Sequence, residues 1–393
     1  MNITRRAFAV LLCCAAPALL FGRAAGKRAA PASAQYLAYV GTYTAKTQSK
    51  GIYVYRFDPE TGDVADKGIA AETPDPSFLA VHPNGKYLYA VNEGPITDGG
   101  KHGGVTAFAL DAQSGKLTQL NQVSSLGTDP CFLSIDRSGK YLLAANYTSG
   151  SVAVFPIESD GSIGKSTAFV QDSGKTGPNK QRQEGPHAHF IETTKDNRYA
   201  IVVDLGLDEV LVYKFDASDG TLSPNDPPHV KIKAGSGPRH LVFSKDDKFA
   251  YVVSELASTV TVLKFDAKKG TFRHEQTLST LPPGFSGRND AAEIAIHPNG
   301  KFLYASNRGN DSIAVFSIDA AKGTLTPVGG MPTGGKEPRH FTFDPSGRFL
   351  FAEDQLSDVI DVFRVDPGTG ALSANAETIK APSPVCVVFA PAE

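Results

Sequence analysis

The chain has 393 residues, 41% apolar and 20% charged, with 38 Gly, 26 Pro and no Trp. That balance supports a full hydrophobic core rich in turns and excludes a coiled coil or a disordered chain. A formal net charge of −2 disfavours nucleic acid as a partner, because such binding rests on neutralising phosphates.

The first 34 residues read as an export signal that is cleaved. Arg5 and Arg6 precede an apolar run from Ala9 to Phe21, and Ala32-Ser33-Ala34 offers a small-residue cleavage site. The paired arginines resemble the twin-arginine type. The run is short for a bilayer span, so no permanent membrane span is expected. Cleavage removes Arg5, Arg6, Arg23, Lys27 and Arg28 and no acid, which moves the net charge from −2 to −7. The expected location is periplasmic or secreted. Of the four cysteines only Cys131 and Cys386 then remain. Two cysteines make no disulfide framework, and both are expected as buried free thiols. No spacing of Cys or His points to a metal, and no cofactor is expected.

From residue 35 to 393 the chain repeats one unit, which predicts a single domain. Pro76 to Glu93 is the first clear copy, with His82-Pro83-Asn84-Gly85 at its turn. Further copies start at Pro130, Pro186, Pro238, Ala291, Pro338 and Pro384. Each full copy reads as a hairpin, a third strand such as Val260 to Leu263, a Gly-containing turn and a short fourth strand. That is the content of a propeller blade. The last copy holds only an inner strand, Val385 to Phe389. Tyr36 to Thr42 and Ile52 to Tyr55 look like the second and third strands of a blade. The expected fold is all-β: a seven-bladed β-propeller of four-stranded antiparallel blades, its ring closed by N- and C-terminal strands sharing one blade.

Polar residues gather at two positions of the repeat. One residue after the leading proline stand Ser77, Cys131, Arg239, Ala292, Arg339 and Val385, with His187 and His189 in the third copy. At the end of the second strand stand Glu93, Tyr147, Leu205, Glu255, Arg308 and Gln355. Both positions belong to one rim. The long insertions 94–104 (with Asp98, Lys101 and His102), 172–183 and 281–290 (with Arg288) fall there too, where sites usually form. His240 and His340 follow the arginines; by strand alternation they face the other way and read as packing residues. His82 and His297 read as turn residues. Asp204, Asp208, Asp311 and Asp358 lie near the turns from second to third strand. No Gly-x-Ser-x-Gly elbow and no phosphate loop is present. An arginine- and imidazole-lined mouth with a carboxylate would bind a polyhydroxylated or anionic small molecule and polarise a carbonyl. Glu255 or a histidine would activate water.

The set Gly185-Pro186-His187-Ala188-His189, Gly237-Pro238-Arg239-His240, Ser254-Glu255, Ser306-Asn307-Arg308-Gly309 and Glu337-Pro338-Arg339 resembles the propeller lactonases. That family is typified by bacterial 6-phosphogluconolactonase of the seven-bladed type, whose fold the fungal carboxy-muconate lactonising enzymes share. The resemblance covers nearly the whole chain after residue 34. It implies hydrolysis of a lactone without a metal. It also implies a catalytic group of one His, two Arg and a Glu, which falls on His187 or His189, Arg239, Glu255 and Arg308. Arg339, Glu93 and Arg288 are the candidate substrate-binding residues. The expected partner is a small lactone or anionic sugar-derived molecule, and the expected state a monomer or homodimer. The export signal departs from the cytosolic habit of the family, so a lactone other than the phosphorylated sugar enters as a candidate. A muconate lactonising lyase or isomerase and a non-catalytic binding propeller are the alternatives. On this reading Glu255→Gln and Arg239→Ala cost turnover but little thermal stability.

Overall fold

Alternating apolar residues build the hairpins, and their turns are fixed by local hydrogen bonds. In the fourth blade, Pro238–Phe243 pairs antiparallel with Phe249–Ser254. The turn between them closes when Ser244 Oγ accepts from the Phe249 amide and Asp247 takes a left-handed φ of 55°. In the His-Pro-Asn-Gly turns, Gly85 and Gly300 occupy that conformation, at φ 71° and 77°. The turn histidines do a second job. His82 Nε2 reaches the Gly139 carbonyl of the next blade at 2.9 Å, and His297 Nε2 reaches that of Gly347 at 2.7 Å.

The computed structural model describes residues 35–96 and 102–393. The export-signal reading for residues 1–34, and Asp98 and Lys101, lie outside the described residues. The described residues form seven four-stranded antiparallel sheets. Six are continuous in sequence: Leu79–Ser124, Pro130–Gln171, Ala188–Lys231, Pro238–Ser279, Asp290–Pro332 and Pro338–Lys380. The seventh is shared. Pro384–Pro391 is its innermost strand and pairs with Tyr36–Thr42, with Tyr36 opposite Pro391 and Val40 opposite Val387. Gly51–Phe57 and Val64–Glu72 complete it. The expected seven blades and the shared closing blade are both present.

Buried aliphatic and aromatic side chains fill the space between neighbouring blades. At the closing joint Phe57 packs edge-on against Phe349 and Phe351. On the rim, left-handed aspartates staple three of the blades to the next. Asp208 accepts from the Gly235 and Gly237 amides at 2.7 and 2.8 Å, Asp311 from Glu337, and Asp358 from Ser383. Among the described residues no helix is long and apolar enough to cross a membrane.

Candidate active site

One irregularity of the innermost strands decides where the polar residues point. Pro238 pairs with Ser254, but the next pair is His240 with Val253, so Arg239 is an extra, unpaired residue. The same bulge recurs between Pro130 and Phe132, Ala188 and Phe190, and Pro338 and His340. In the fifth blade it is wider and takes in both Ala292 and Glu293. A bulge re-aims the side chain it carries. Here it turns Cys131, His189, Arg239 and Arg339 toward the ring axis.

The bulge also cancels the alternation expected for His240 and His340. Both face inward, and they are not mere packing residues. His240 Nδ1 lies 3.0 Å from Glu293 Oε2; His340 Nδ1 lies 2.8 Å from Glu353 Oε2 and its Nε2 3.7 Å from Glu293. Burial lifts the Glu293 carboxyl, but His240 and His340 outweigh it and hold the group at about 2. This acid–imidazole layer sits beneath the site. The His240 ring lies 5.0 Å from those of both His189 and Phe132.

Above it is a cavity of about 240 Å3 to which every blade contributes. Tyr43 comes from the closing blade and Glu93 from the first. Cys131 and Tyr147 come from the second, His189 from the third and Glu255 from the fourth. Arg308 comes from the fifth and Arg339 from the sixth. Arg182 enters from the loop before the third blade.

Glu255 is the hub. Its Oε1 accepts from Arg182 Nη2 at 2.5 Å. Its Oε2 lies 3.1 Å from Arg308 Nη2 and 3.3 Å from Arg239 Nε. The Arg239 Nε contact is an ion pair that is not aligned as a hydrogen bond. Burial pushes the Glu255 carboxyl up, but Arg308, Arg239 and Arg182 together hold it down at about 2. Arg239 pays in the opposite sense: burial, Arg308 and Arg339 lower it to about 10 against the pull of Glu255. Its Nη1 donates to the Ala292 carbonyl at 2.7 Å.

Opposite this hub, Tyr43 donates to Glu93 Oε2 at 2.6 Å, and the Arg339 guanidinium lies over the Tyr43 ring at 5.2 Å. Arg339 pairs with no carboxylate among the described residues. His189 is held neutral, because burial and then Arg239, His240 and Arg339 push its pKa well below the usual imidazole range. Burial likewise keeps the Cys131 thiol protonated, 3.6 Å from His189 Nδ1. Cys131 and Cys386 are both free and buried. No three His, Cys, Asp or Glu side chains converge as metal ligands among the described residues.

Of the eight residues singled out from sequence, Glu93, His189, Glu255, Arg308 and Arg339 line the cavity. Arg239 stands behind Glu255, only 3% exposed, and backs the carboxylate instead of lining the space. His187 is displaced from the proposed catalytic pair. It stacks on Tyr147 with ring centroids 4.6 Å apart, and its Nδ1 donates to the Tyr147 carbonyl. Its partner in the ambiguous pair, His189, is the one on the bulge. Arg288 is outside the cavity, with its side chain 82% exposed and bound to Asp290 at 2.8 Å. Sequence reasoning missed Arg182, Tyr43, Glu293 and Glu353. Only Tyr43 carried a signal, standing next to the strand end Thr42 as Glu93 stands next to Asn92.

The comparisons agree with the seven-bladed fold. Residues 37–389 match the family model described as lactonase, 7-bladed beta-propeller. A 6-phosphogluconolactonase of Bacillus subtilis is 38% identical over 355 residues, covering 90% of this chain and 98% of that protein. A 6-phosphogluconolactonase of Formosa agariphila is 37% identical over 309 residues, 77% of this chain and 85% of its own length. The solved structure of a periplasmic gluconolactonase of Pseudomonas aeruginosa superposes with a TM-score of 0.85 at 36% identity, covering 91% of this chain and 99% of that one. The family model over residues 37–389 and relatives 36–38% identical over most of the chain place this ring of seven blades in the seven-bladed β-propeller lactonase family.

Proposed function

We propose that this protein hydrolyses the ring ester of a sugar-derived lactone of the 6-phosphogluconolactone kind, one that carries an anionic substituent. The observation that carries the reading is the charge of the axial cavity. Three guanidiniums, Arg182, Arg308 and Arg339, line it and a fourth, Arg239, stands behind Glu255, against the two carboxylates Glu93 and Glu255. Two positive charges are left over, and Arg339 stands without a carboxylate partner among the described residues. The cavity of about 240 Å3 is smaller than the ~300–1,000 Å3 of drug-sized pockets and suits one ring with its substituents.

In this reading the lactone carbonyl oxygen faces Arg308, with Arg239 behind. Water adds to the carbonyl carbon and gives its proton to Glu255. The carbonyl π pair moves onto the oxygen, where the guanidiniums stabilise it. Collapse breaks the bond from the acyl carbon to the ring oxygen, which leaves with that proton. The product is the open hydroxy acid. Neutral His189 hydrogen-bonds the substrate without adding charge. Glu93, held by Tyr43, anchors sugar hydroxyls.

The test is acid release from a panel of lactones by the parent, Glu255→Gln, His189→Asn and Arg288→Ala. Loss of the general base costs about 10²–10⁴-fold, so Glu255→Gln should be crippled; His189→Asn, which loses only a neutral hydrogen-bonding ring, should fall by less, and Arg288→Ala keeps parental rates. Full turnover in Glu255→Gln would remove the proposed base.

The N-terminal 34 residues are proposed to export the protein. The Arg5-Arg6 pair before an apolar run and a periplasmic relative support this. Fractionation of cells should find the parent outside the cytoplasm and an Arg5→Lys/Arg6→Lys variant inside it; equal export of both would refute the twin-arginine assignment.

A further inference from the structure

The cations around Glu255 differ in their freedom to move. Arg239 donates to the Ala292 carbonyl at 2.7 Å, and Arg308 donates to that of Asp290 at 3.2 Å. Their side chains are 4% and 10% exposed. Both are fixed to the rim backbone, and both address Oε2 of Glu255. Arg182 alone addresses Oε1, and its side chain is 35% exposed. Its remaining ties are weak: the Tyr147 hydroxyl at 3.3 Å and Asp290 at 3.9 Å. The main chain beneath it is rigid, however. Gln183 is fully buried, donates to the Leu205 carbonyl at 2.9 Å and accepts from the Asn179 amide at 3.2 Å. The loop therefore holds the base of Arg182 in place, while its guanidinium is tied only to side chains, Glu255, Tyr147 and Asp290, and to no backbone carbonyl among the described residues.

We propose that Arg182 is a specificity-determining residue shared between Glu255 and the anion of the substrate. Arg182 covers Oε1 of Glu255; an anionic lactone draws the guanidinium to its own anion and exposes Oε1. Oε1 is the one carboxylate oxygen that a single side-chain movement can free. Once freed, it faces the cavity and takes the proton from water as the ring opens. The anionic group thus contributes twice, by binding to Arg182 and by restoring basicity to Glu255. Arg182 is one of the three cations that depress the carboxylate, so its departure raises the carboxylate's affinity for a proton. Tyr147, stacked on His187, keeps a hydrogen-bonding stop for the guanidinium on the side of the cavity.

The inference rests on the lactone-hydrolysis reading. Its test compares a phosphorylated aldonolactone with the neutral lactone of the same ring, using the parent, Arg182→Met and Arg182→Lys. A hydrogen bond to a charged group is worth about 1.5–3 kcal/mol. The ratio of kcat/KM for the anionic over the neutral lactone should therefore fall about ten- to hundredfold in Arg182→Met. With the neutral lactone, the acidic limb of the kcat–pH profile should move to higher pH in Arg182→Met, because the mask is gone, and stay in place in Arg182→Lys. Equal losses on both lactones with an unmoved limb would overturn the inference while leaving the hydrolytic reading intact. A folded parent that opens neither lactone would overturn both.

Discussion

Glu255 neutralises buried arginines, and that makes it a stability residue as much as a chemical one. Arg239 is 3% exposed and stands near Arg308 and Arg339. Without Glu255, Arg239 and Arg308 lose the one carboxylate within ion-pair distance of them among the described residues. Breaking a buried pair by removing one partner costs about 3–5 kcal/mol. Glu255→Gln should therefore lower the melting temperature clearly, against the expectation from sequence that stability would be spared. The pH dependence carries the same signature. The carboxyl is held at about 2 against an ordinary 4.5. A depressed acid contributes stability above its unfolded pKa and loses it as pH falls through the folded one. The stability gap between parent and Glu255→Gln should thus be full above about 4.5 and close toward pH 2. Urea unfolding of both proteins across that window checks it; a gap that stays constant with pH would show that the ion pairs are not its source.

At the scale of the strand, the repeat was legible because its period is carried by prolines, whose φ is fixed, and by glycines, which alone take the left-handed turn position without strain. Proline opens four of the seven inner strands, and Asn84-Gly85, Asn299-Gly300 and Ser346-Gly347 close hairpins. The bulge was not legible. An inserted residue leaves the apolar pattern of Leu241 and Phe243 intact and changes only which way Arg239 and His240 point. The same blind spot left His187 and His189 undecided, since the strand starts at Ala188 and not at Pro186. The wide bulge of the fifth blade hid Glu293 among alanines. Arg182 was invisible for a different reason. It lies on an insertion that obeys no period, and only the closed ring brings it to Glu255, 73 residues away. Arg288 misled for the same reason, since being on a rim loop does not say which way a long side chain turns.

For the molecule as a whole, the axial cavity exists only if the ring is shut. Every blade supplies part of its wall, so a gap of one strand at the closing blade would release Tyr43 and Arg339 on either side of it. The joint depends on register, not on the covalent order of the chain. Pro384–Pro391 lies along Tyr36–Thr42, buries Val385, Cys386 and Val387, and brings Ala392 to within a 3.0 Å hydrogen bond of Gln35. Gln35 and Ala392 lie close enough to permit a circular permutant of residues 35–393. Joining Glu393 to Gln35 by a short Gly/Ser linker and opening the chain between Lys268 and Lys269 would keep every inner strand. That cut falls in the exposed turn before the outer strand Thr271–Ser279, so the permutant should fold and retain turnover. Deleting residues 384–393 should instead leave no cooperative thermal transition, because it strips the inner strand and exposes the edge of Tyr36–Thr42 to aggregation. Circular dichroism melts of both proteins decide the matter. A permutant that cannot fold beside a deletion that can would mean that the shared blade follows the closing of the ring and does not cause it.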